Sequence, residues 1–258
     1  MSESLDILLT NDDGIDNPGL LAVRDALTEI GDVTVVAPAS DQSATGRAMS
    51  TDVHVEERDN GYAVQGTPAD CVVAGMEALG PTPDLVVAGC NAGANLGMYV
   101  LGRSGTVSAA VEAAFFGVPA IAVSRLLEPG QVGSRDLTTD GYQTAADATK
   151  YLAENALDAG VFDHADYLNV NAPITGEDSG DMHITRPSDA YDMTARRQDA
   201  THVTIHDRMW DRVENGTVDD PEGTDRRAVL DGHVSVSPLT APHSTHQHDA
   251  LDALAQTY

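Results

Sequence analysis

The sequence predicts an α/β fold: a doubly wound, mostly parallel sheet with a looser C-terminal extension. Three observations predict it. Strand and helix patterns alternate through the first 125 residues, the arrangement that builds parallel sheets. The strand candidates are short, near-continuous apolar runs closed by turn residues, as strands buried on both faces should be. The unusual polar clusters fall just beyond strand ends, where open parallel sheets bind ligands.

Leu5–Thr10 is an apolar run entering Asn11-Asp12-Asp13-Gly14, hence a buried strand and a turn. Asn17 and Pro18 supply an N-cap and a first helical residue. Leu20, Val23, Leu27 and Ile30 then keep one helical face until Gly31 stops it. A second strand over 33–37 closes at Pro38. Segments 53–57 and 62–65 flank Asp59-Asn60-Gly61 and read as a hairpin. Thr67-Pro68-Ala69-Asp70 opens a helix with a cap, a Pro at its first position and an acid at N3. Val72, Met76 and Leu79 line its inner face, and Gly80-Pro81 ends it. Buried strands follow at 85–88 and 120–123. A helix over 106–116 lies between them, with Val107, Val111, Ala114 and Phe115 as its apolar stripe. A further helix is predicted over 139–159 and a strand over 167–170. Beyond Pro173 the expectation is short strands at 183–185, 202–205 and 233–236 among acidic loops, and a last helix over 249–255. Residues 1–175 thus form the core and 176–258 an extension of the same domain.

Composition narrows the function. Lys and Arg number 14 against 41 Asp and Glu, a net charge of −27. Nucleic-acid binding is excluded as the main activity, because it needs clustered cations. No segment approaches the ~18–20 apolar residues of a membrane span. The first ten residues lack a signal peptide's basic and apolar regions, so a soluble, cytoplasmic protein is expected. Hydrophobic residues at 41% suffice for a core. Two cysteines, Cys71 and Cys90, both in apolar segments, give no disulfide framework. Lys150 is the only lysine, and the acids are spread along the chain. Molar salt shrinks the Debye length to ~3 Å and screens such self-repulsion, so the charge reads as halophilic adaptation. A cation-recruiting acidic surface is the alternative.

Chemistry gathers in three clusters on one sheet edge. Asp12 and Asp13 follow the first strand; Gln42, Ser43 and Arg47 follow the second; Asn91, Asn95 and a Gly-rich loop follow the strand at Leu85. Adjacent carboxylates in a straight strand point to opposite faces, so a shared site requires the turn that Gly14 permits. Two close carboxylates repel unless a cation lies between them. Asp12 and Asp13, with the Ser43 hydroxyl and the Asn91 amide oxygen, offer hard oxygen ligands suited to one Mg²⁺ or Mn²⁺. The competing reading is an Asp-rich turn that merely caps the next helix. The loop over 89–97 is no dinucleotide fingerprint, because its glycines recur every four residues. After it, Ser104-Gly105-Thr106 begins a helix, and hydroxyls with free N–H groups there make an anion site needing no lysine. An ordinary Ser cap explains the same residues. His243, His246 and His248 have metal-like spacing, but their loop-like surroundings favour solvent or interface roles over zinc.

Together these motifs resemble the SurE family, the survival-protein 5′-nucleotidases. The matching stretches are Ile7-Leu8-Leu9-Thr10-Asn11-Asp12-Asp13-Gly14, Val35-Val36-Ala37-Pro38 on to Gln42-Ser43, and Gly66-Thr67-Pro68-Ala69-Asp70-Cys71. Gly89-Cys90-Asn91-Ala92-Gly93-Ala94-Asn95-Leu96-Gly97, Ser104-Gly105-Thr106-Val107 and Leu168-Asn169-Val170-Asn171 match as well. Coverage runs over 5–173 and resumes over 232–239. With the charge, the resemblance points to a halophilic archaeal member. It implies a Rossmann-like core whose C-terminal arm is exchanged between subunits to build homodimers or homotetramers.

The resemblance also implies a metal-dependent phosphomonoesterase acting on nucleoside monophosphates. Asp12, Asp13, Ser43 and Asn91 match the positions that hold the divalent ion. Asn95, Ser104, Gly105 and Thr106 match those around the phosphate. Ala88 stands where serine is usual, and Arg103 where an aromatic residue is common; Arg103 offers an added phosphate contact or altered substrate choice. Residues 176–227 match poorly, and nothing is carried over there. The implied reaction is in-line attack by water with Asp12 or Asp13 as base, while the groups at Ser104 to Thr106 stabilise the phosphoryl oxygens. A covalent aspartyl-phosphate is the mechanistic alternative. A non-catalytic nucleotide sensor, and a phosphatase for polyphosphate or other small phosphomonoesters, are the functional ones.

Overall fold

The computed structural model of the chain describes residues 4–128, 131, 137–174, 180–241 and 255. Two strand–helix–strand passages begin it: β1 (Leu5–Thr10), α1 (Pro18–Leu27) and β2 (Gly31–Pro38), then the hairpin β3 (His54–Arg58) and β4 (Gly61–Gln65), α2 (Pro68–Ala74) and β5 (Leu85–Ala92). A short α3 (Met98–Leu101), then α4 (Gly105–Phe115), β6 (Ala120–Arg125), α5 (Gln143–Asn155) and β7 (Tyr167–Ala172) complete the core. The remainder is β8 (Met182–Ile184), β9 (Met193–Arg197), β10 (Val203–Asp207), α6 (Arg208–Glu214), α7 (Asp225–Leu230) and β11 (Val234–Leu239).

Nine strands form one sheet in the order β3-β4-β2-β1-β5-β6-β7-β11-β8. From β4 to β7 every neighbour is parallel; β3 against β4 and β11 against β7 are antiparallel. Alternation within strands sorts the helices. Ile7, Leu9, Val35, Val87 and Ile121 pack with α1 and α5, while Leu8, Val36, Val86 and Ala122 face α2 and α4 on the other side. A sheet covered on both faces is the doubly wound architecture, and the chain leaves β1 towards β2 on one side and later towards β5 on the other. The reversal places a crevice between the ends of β1 and β5.

Several boundaries differ from expectation. The first helix ends at Leu27, because the cap residue Thr28 already turns and Ile30 lies outside it. The capping box of α2 is present, Thr67 with Asp70, but its last turn widens into a π-helix over Gly75–Leu79. There Gly75 lies so close to Leu8 that a Cβ would come within 2.6 Å of it. In α4 the buried face is Val107, Ala109, Ala110 and Ala113, whereas Phe115 is 55% exposed. The alanines let α4 lie close on the sheet, so the small residues, not the phenylalanine, mark the inner face. The predicted helix over 139–159 is a 3₁₀ turn (Thr139–Tyr142) followed by α5. Among the 176–258 residues, β8 and β11 extend the core sheet, while β9 and β10 pair separately. Sequence reading missed β9, α6 and α7, whose charged, short segments lack a long apolar period. The predicted final helix and His243, His246 and His248 lie outside the described residues. Among the described residues no helix is long and apolar enough to cross a membrane.

Candidate active site

After β1 the chain reverses at Asn11, whose side chain donates to the Gly14 carbonyl (2.9 Å) and accepts from its N–H (3.2 Å). Gly14 adopts φ +104°, which a side chain would resist. The Gln42 N–H on the Asp12 carbonyl (2.7 Å) and the Ile15 N–H on the Pro38 carbonyl (2.9 Å) tie this turn to the segment after β2. Both aspartates therefore face one cavity of about 790 Å³, which Ser43, Asn91, Asn95 and Ser104 also line. Three clusters far apart in sequence thus meet at the crevice.

Asp12 is 3% exposed and accepts a 2.6 Å bond from the Thr106 hydroxyl. Its carboxylate lies against the start of α4, where a Cβ on Gly105 would come within 2.8 Å of the Asp12 Cβ. Gly105 is thus the residue that admits Asp12 to the helix N-terminus. Asp13 accepts from the Ala92 N–H at 2.9 Å. Burial pushes the Asp13 carboxyl up to about 7, with the charges of Asp12 and Asp41 adding to the rise. Burial likewise raises Asp12, against the Thr106 hydrogen bonds that lower it.

The remaining predicted residues divide. Asn91 donates to the Gly93 carbonyl (2.5 Å), which turns its amide oxygen into the group left for a ligand. It stands at the end of β5, after a register shift between Ala88 and Asn91, and not in a free loop. The Ser43 N–H and hydroxyl both donate to Asp41 (2.8 and 2.6 Å). Asn95 is clamped to the sheet: its N–H donates to Asn171 (2.7 Å), its amide nitrogen to Ser124 (2.9 Å), and its carbonyl accepts from Asn169 (3.0 Å). Ser104 caps α4 by accepting from the Val107 N–H (3.1 Å) and keeps its hydroxyl proton for the cavity that it lines. Gly105 and Thr106 sit behind that wall, against Asp12. Arg47 lies elsewhere, paired with Glu112 and stacked over Phe115.

Sequence reading missed Asp41 and the loop-clamping carboxylate Asp225. Asp41 lines the cavity and orients Ser43; its place two residues before a serine is a recognisable Asx-turn signal. Asp225 accepts from the N–H groups of Gly97 (2.7 Å) and Ser188 (2.9 Å), fixing the end of the Gly-rich loop from a distant segment that no local pattern announces. Arg103, the departure noted above, is the one cationic residue lining the cavity among the described residues.

A cation fits this donor set. The buried Asp12 and the half-buried Asp13 repel, an amide oxygen and a hydroxyl add hard-oxygen donors, and a divalent ion would relieve the repulsion. Among the described residues no three His, Cys, Asp or Glu side chains converge to cage a metal, so neutral oxygens must complete the set. Another broad concavity, about 630 Å³ beside Asp192, Arg208 and Arg212, carries ion pairs and no comparable constellation.

The family model described as Survival protein SurE matches residues 7–194. The chain belongs to the SurE family. Among its relatives, "5′-nucleotidase SurE" of Halobacterium salinarum is 65% identical over 254 residues, covering 98% of each chain. The protein of the same name from Haloarcula marismortui is 62% identical over 255 residues, covering 98% of this chain and 94% of that one. The crystal structure of the SurE protein from Aquifex aeolicus superposes with a TM-score of 0.81 at 32% identity, over 97% of this chain and 99% of that chain. These SurE relatives span the whole fold, including the C-terminal strands that the family model does not reach.

Proposed function

We propose that this SurE chain is a divalent-cation-dependent 5′-nucleotidase, hydrolysing nucleoside 5′-monophosphates to nucleoside and phosphate. The observation that carries the reading is the meeting of Asp12 and Asp13 with the N-terminus of α4 in one cavity. The names of the halophilic relatives support it. Asp12, Asp13, Ser43 and Asn91 would hold one Mg²⁺ or Mn²⁺ per subunit. When bound, such an ion supplies charge neutralisation at the phosphoryl group and acidifies water.

The chain's own groups do the rest. Asp12, held by Thr106 and nearly enclosed, is a positioning ligand. Asp13 is less enclosed and has one oxygen on Ala92, so its other oxygen is the acceptor for a water proton. Water attacks phosphorus as Asp13 takes its proton, the bond to the 5′ oxygen breaks in line, and that oxygen regains the proton from Asp13 through solvent water to leave as the nucleoside hydroxyl. The Ser104 hydroxyl and the α4 dipole face the charge that develops on the phosphoryl oxygens. Arg103 adds a cation at the same cavity.

Phosphate release from AMP in molar KCl with Mg²⁺ or Mn²⁺, against a chelator control, is the test. Cation-dependent turnover is expected. Tight AMP binding without turnover would replace the enzyme with a sensor. A cytoplasmic homodimer or homotetramer is part of the proposal, supported by exposed Ile184 (70%), Val203 (55%) and Ile205 (71%) on the C-terminal strands. Light scattering giving a 27.0 kDa particle would refute that part.

A further inference from the structure

A second cavity adjoins the first. It measures about 460 Å³ and shares Ala92 and Leu127 with the cavity of Asp12 and Asp13. Its wall is apolar, formed by Leu126, Ile174, Val213, Leu230 and the side chain of Trp210. The same residues pack on a small core of Ala94, Leu96 and Val229. Two exposed carboxylates, Glu128 and Glu214, complete the lining, and no Lys or Arg takes part among the described residues. Such a surface repels a phosphate dianion. It suits a flat, uncharged ring that stacks on an indole and offers N–H donors to carboxylates at its edge.

Trp210 is not loosely hung. It lies on α6, whose N-cap Asp207 accepts from the Met209 N–H (3.0 Å) and from the Tyr99 hydroxyl (2.7 Å). Tyr99 belongs to α3, directly after the Gly-rich segment that joins Asn91 at the end of β5 to Asn95. The indole therefore has a fixed place relative to the site loop.

We propose that this cavity is the nucleobase subsite, receiving an amino-substituted purine while the phosphate of the same molecule lies at Asp13 and Ser104. The proposal rests on the phosphomonoesterase reading above for the position of the phosphate. A purine presents the larger face to Trp210, and its ring fits well within the volume. Its amino group meets the carboxylate edge of Glu128 and Glu214. Mononucleotide orientation then follows from the two linings: the anionic end goes to the cavity where Arg103, the start of α4 and a cation held by Asp12 and Asp13 would offset the carboxylates, the uncharged ring to the apolar cavity.

Trp210 is the single tryptophan of the 258 residues, so its emission reports on this cavity alone. The full chain in molar KCl is titrated with AMP, ribose 5-phosphate and inorganic phosphate, and KM values are measured for AMP, UMP and ribose 5-phosphate. Saturable quenching by AMP is expected, with none from ribose 5-phosphate or phosphate. Trp210→Ala should raise the KM of AMP relative to that of ribose 5-phosphate by about ten- to a hundredfold, the usual loss for one stacked base. Trp210→Phe should recover most of that ratio, which separates stacking from a folding defect. Equal quenching by AMP and ribose 5-phosphate, or an unchanged ratio in both variants, would overturn the subsite and leave the phosphomonoesterase standing. Equal KM for AMP and UMP would overturn the purine assignment. Saturable AMP quenching with no ester hydrolysed would sustain the subsite and remove the catalytic reading.

Discussion

Replacing Asp13 by Asn separates a cation site from a capped turn. Asn preserves the acceptor for the Ala92 N–H, now at 2.9 Å, and removes one of two repelling charges. The Asp13 carboxyl is held at about 7 against an ordinary 3.8. Each pH unit between those values is worth about 1.4 kcal/mol, so full ionisation of Asp13 costs the folded state at most about 4 kcal/mol. The sign follows from the raised value. Below 3.8 both folded and unfolded chains carry the proton and nothing is lost. Between 3.8 and about 7 only the unfolded chain ionises, so stability falls as pH rises. Above about 7 the loss is complete. In chelator at pH 8, Asp13→Asn should therefore melt higher, by roughly 5–15 °C for a domain of this size. Near pH 5.5 the gain should shrink to about half. Addition of Mg²⁺ or Mn²⁺ should reverse the order, because wild type binds and the variant lacks one anionic ligand. Apparent affinity for the cation in wild type should fall as pH drops below about 7, where a proton competes for Asp13. AMP turnover in the variant should fall by orders of magnitude. The assay is a pair of melting curves with and without chelator at two pH values, beside the rate measurement. An Asp13→Asn protein that melts with wild type at pH 8 and turns over at its rate would show that the pair only shapes a turn.

Gly105→Ala places a methyl group 2.8 Å from the Asp12 Cβ, so Asp12 should be displaced from α4 and turnover should drop at least tenfold with helical content unchanged by circular dichroism. Burial raises the Asp70 carboxyl, but the N–H groups of Ser50 and Thr67 and the Ser50 hydroxyl outweigh it and hold it below its ordinary value. Asp70→Ala should cost about 1–3 kcal/mol at neutral pH in denaturant titrations, and the difference from wild type should fade as pH falls through the depressed value; a difference constant from pH 7 to pH 3 would contradict this. With a net charge of −27, melting temperature and activity should rise together from 50 mM towards about 2 M KCl, and equal stability at both ends would exclude halophilic adaptation.

The sequence by itself determined the parts that depend on neighbours within a few residues. Apolar runs ending in turns located the parallel strands. Asn17 with Pro18, Thr67 with Asp70, and Ser104 announced three helix starts, because a cap is made by side chains bonding to N–H groups two or three residues away. The placing of Asp12, Ser43 and Asn91 on one edge followed from the same strand ends. Tertiary structure alone decided what each of these groups touches. Thr106 reaches Asp12 across 94 residues, the Ala92 N–H reaches Asp13 across 79, and Asp225 holds Gly97 across 128. It also put β11 beside β7, exposed Phe115 where periodicity had placed it inside, and brought Trp210 beside Gly93 and Ala94. Hydrophobic period and capping chemistry act along the chain and can be read there. Burial, charge repulsion and cavity shape arise only when distant segments exclude water from the same place.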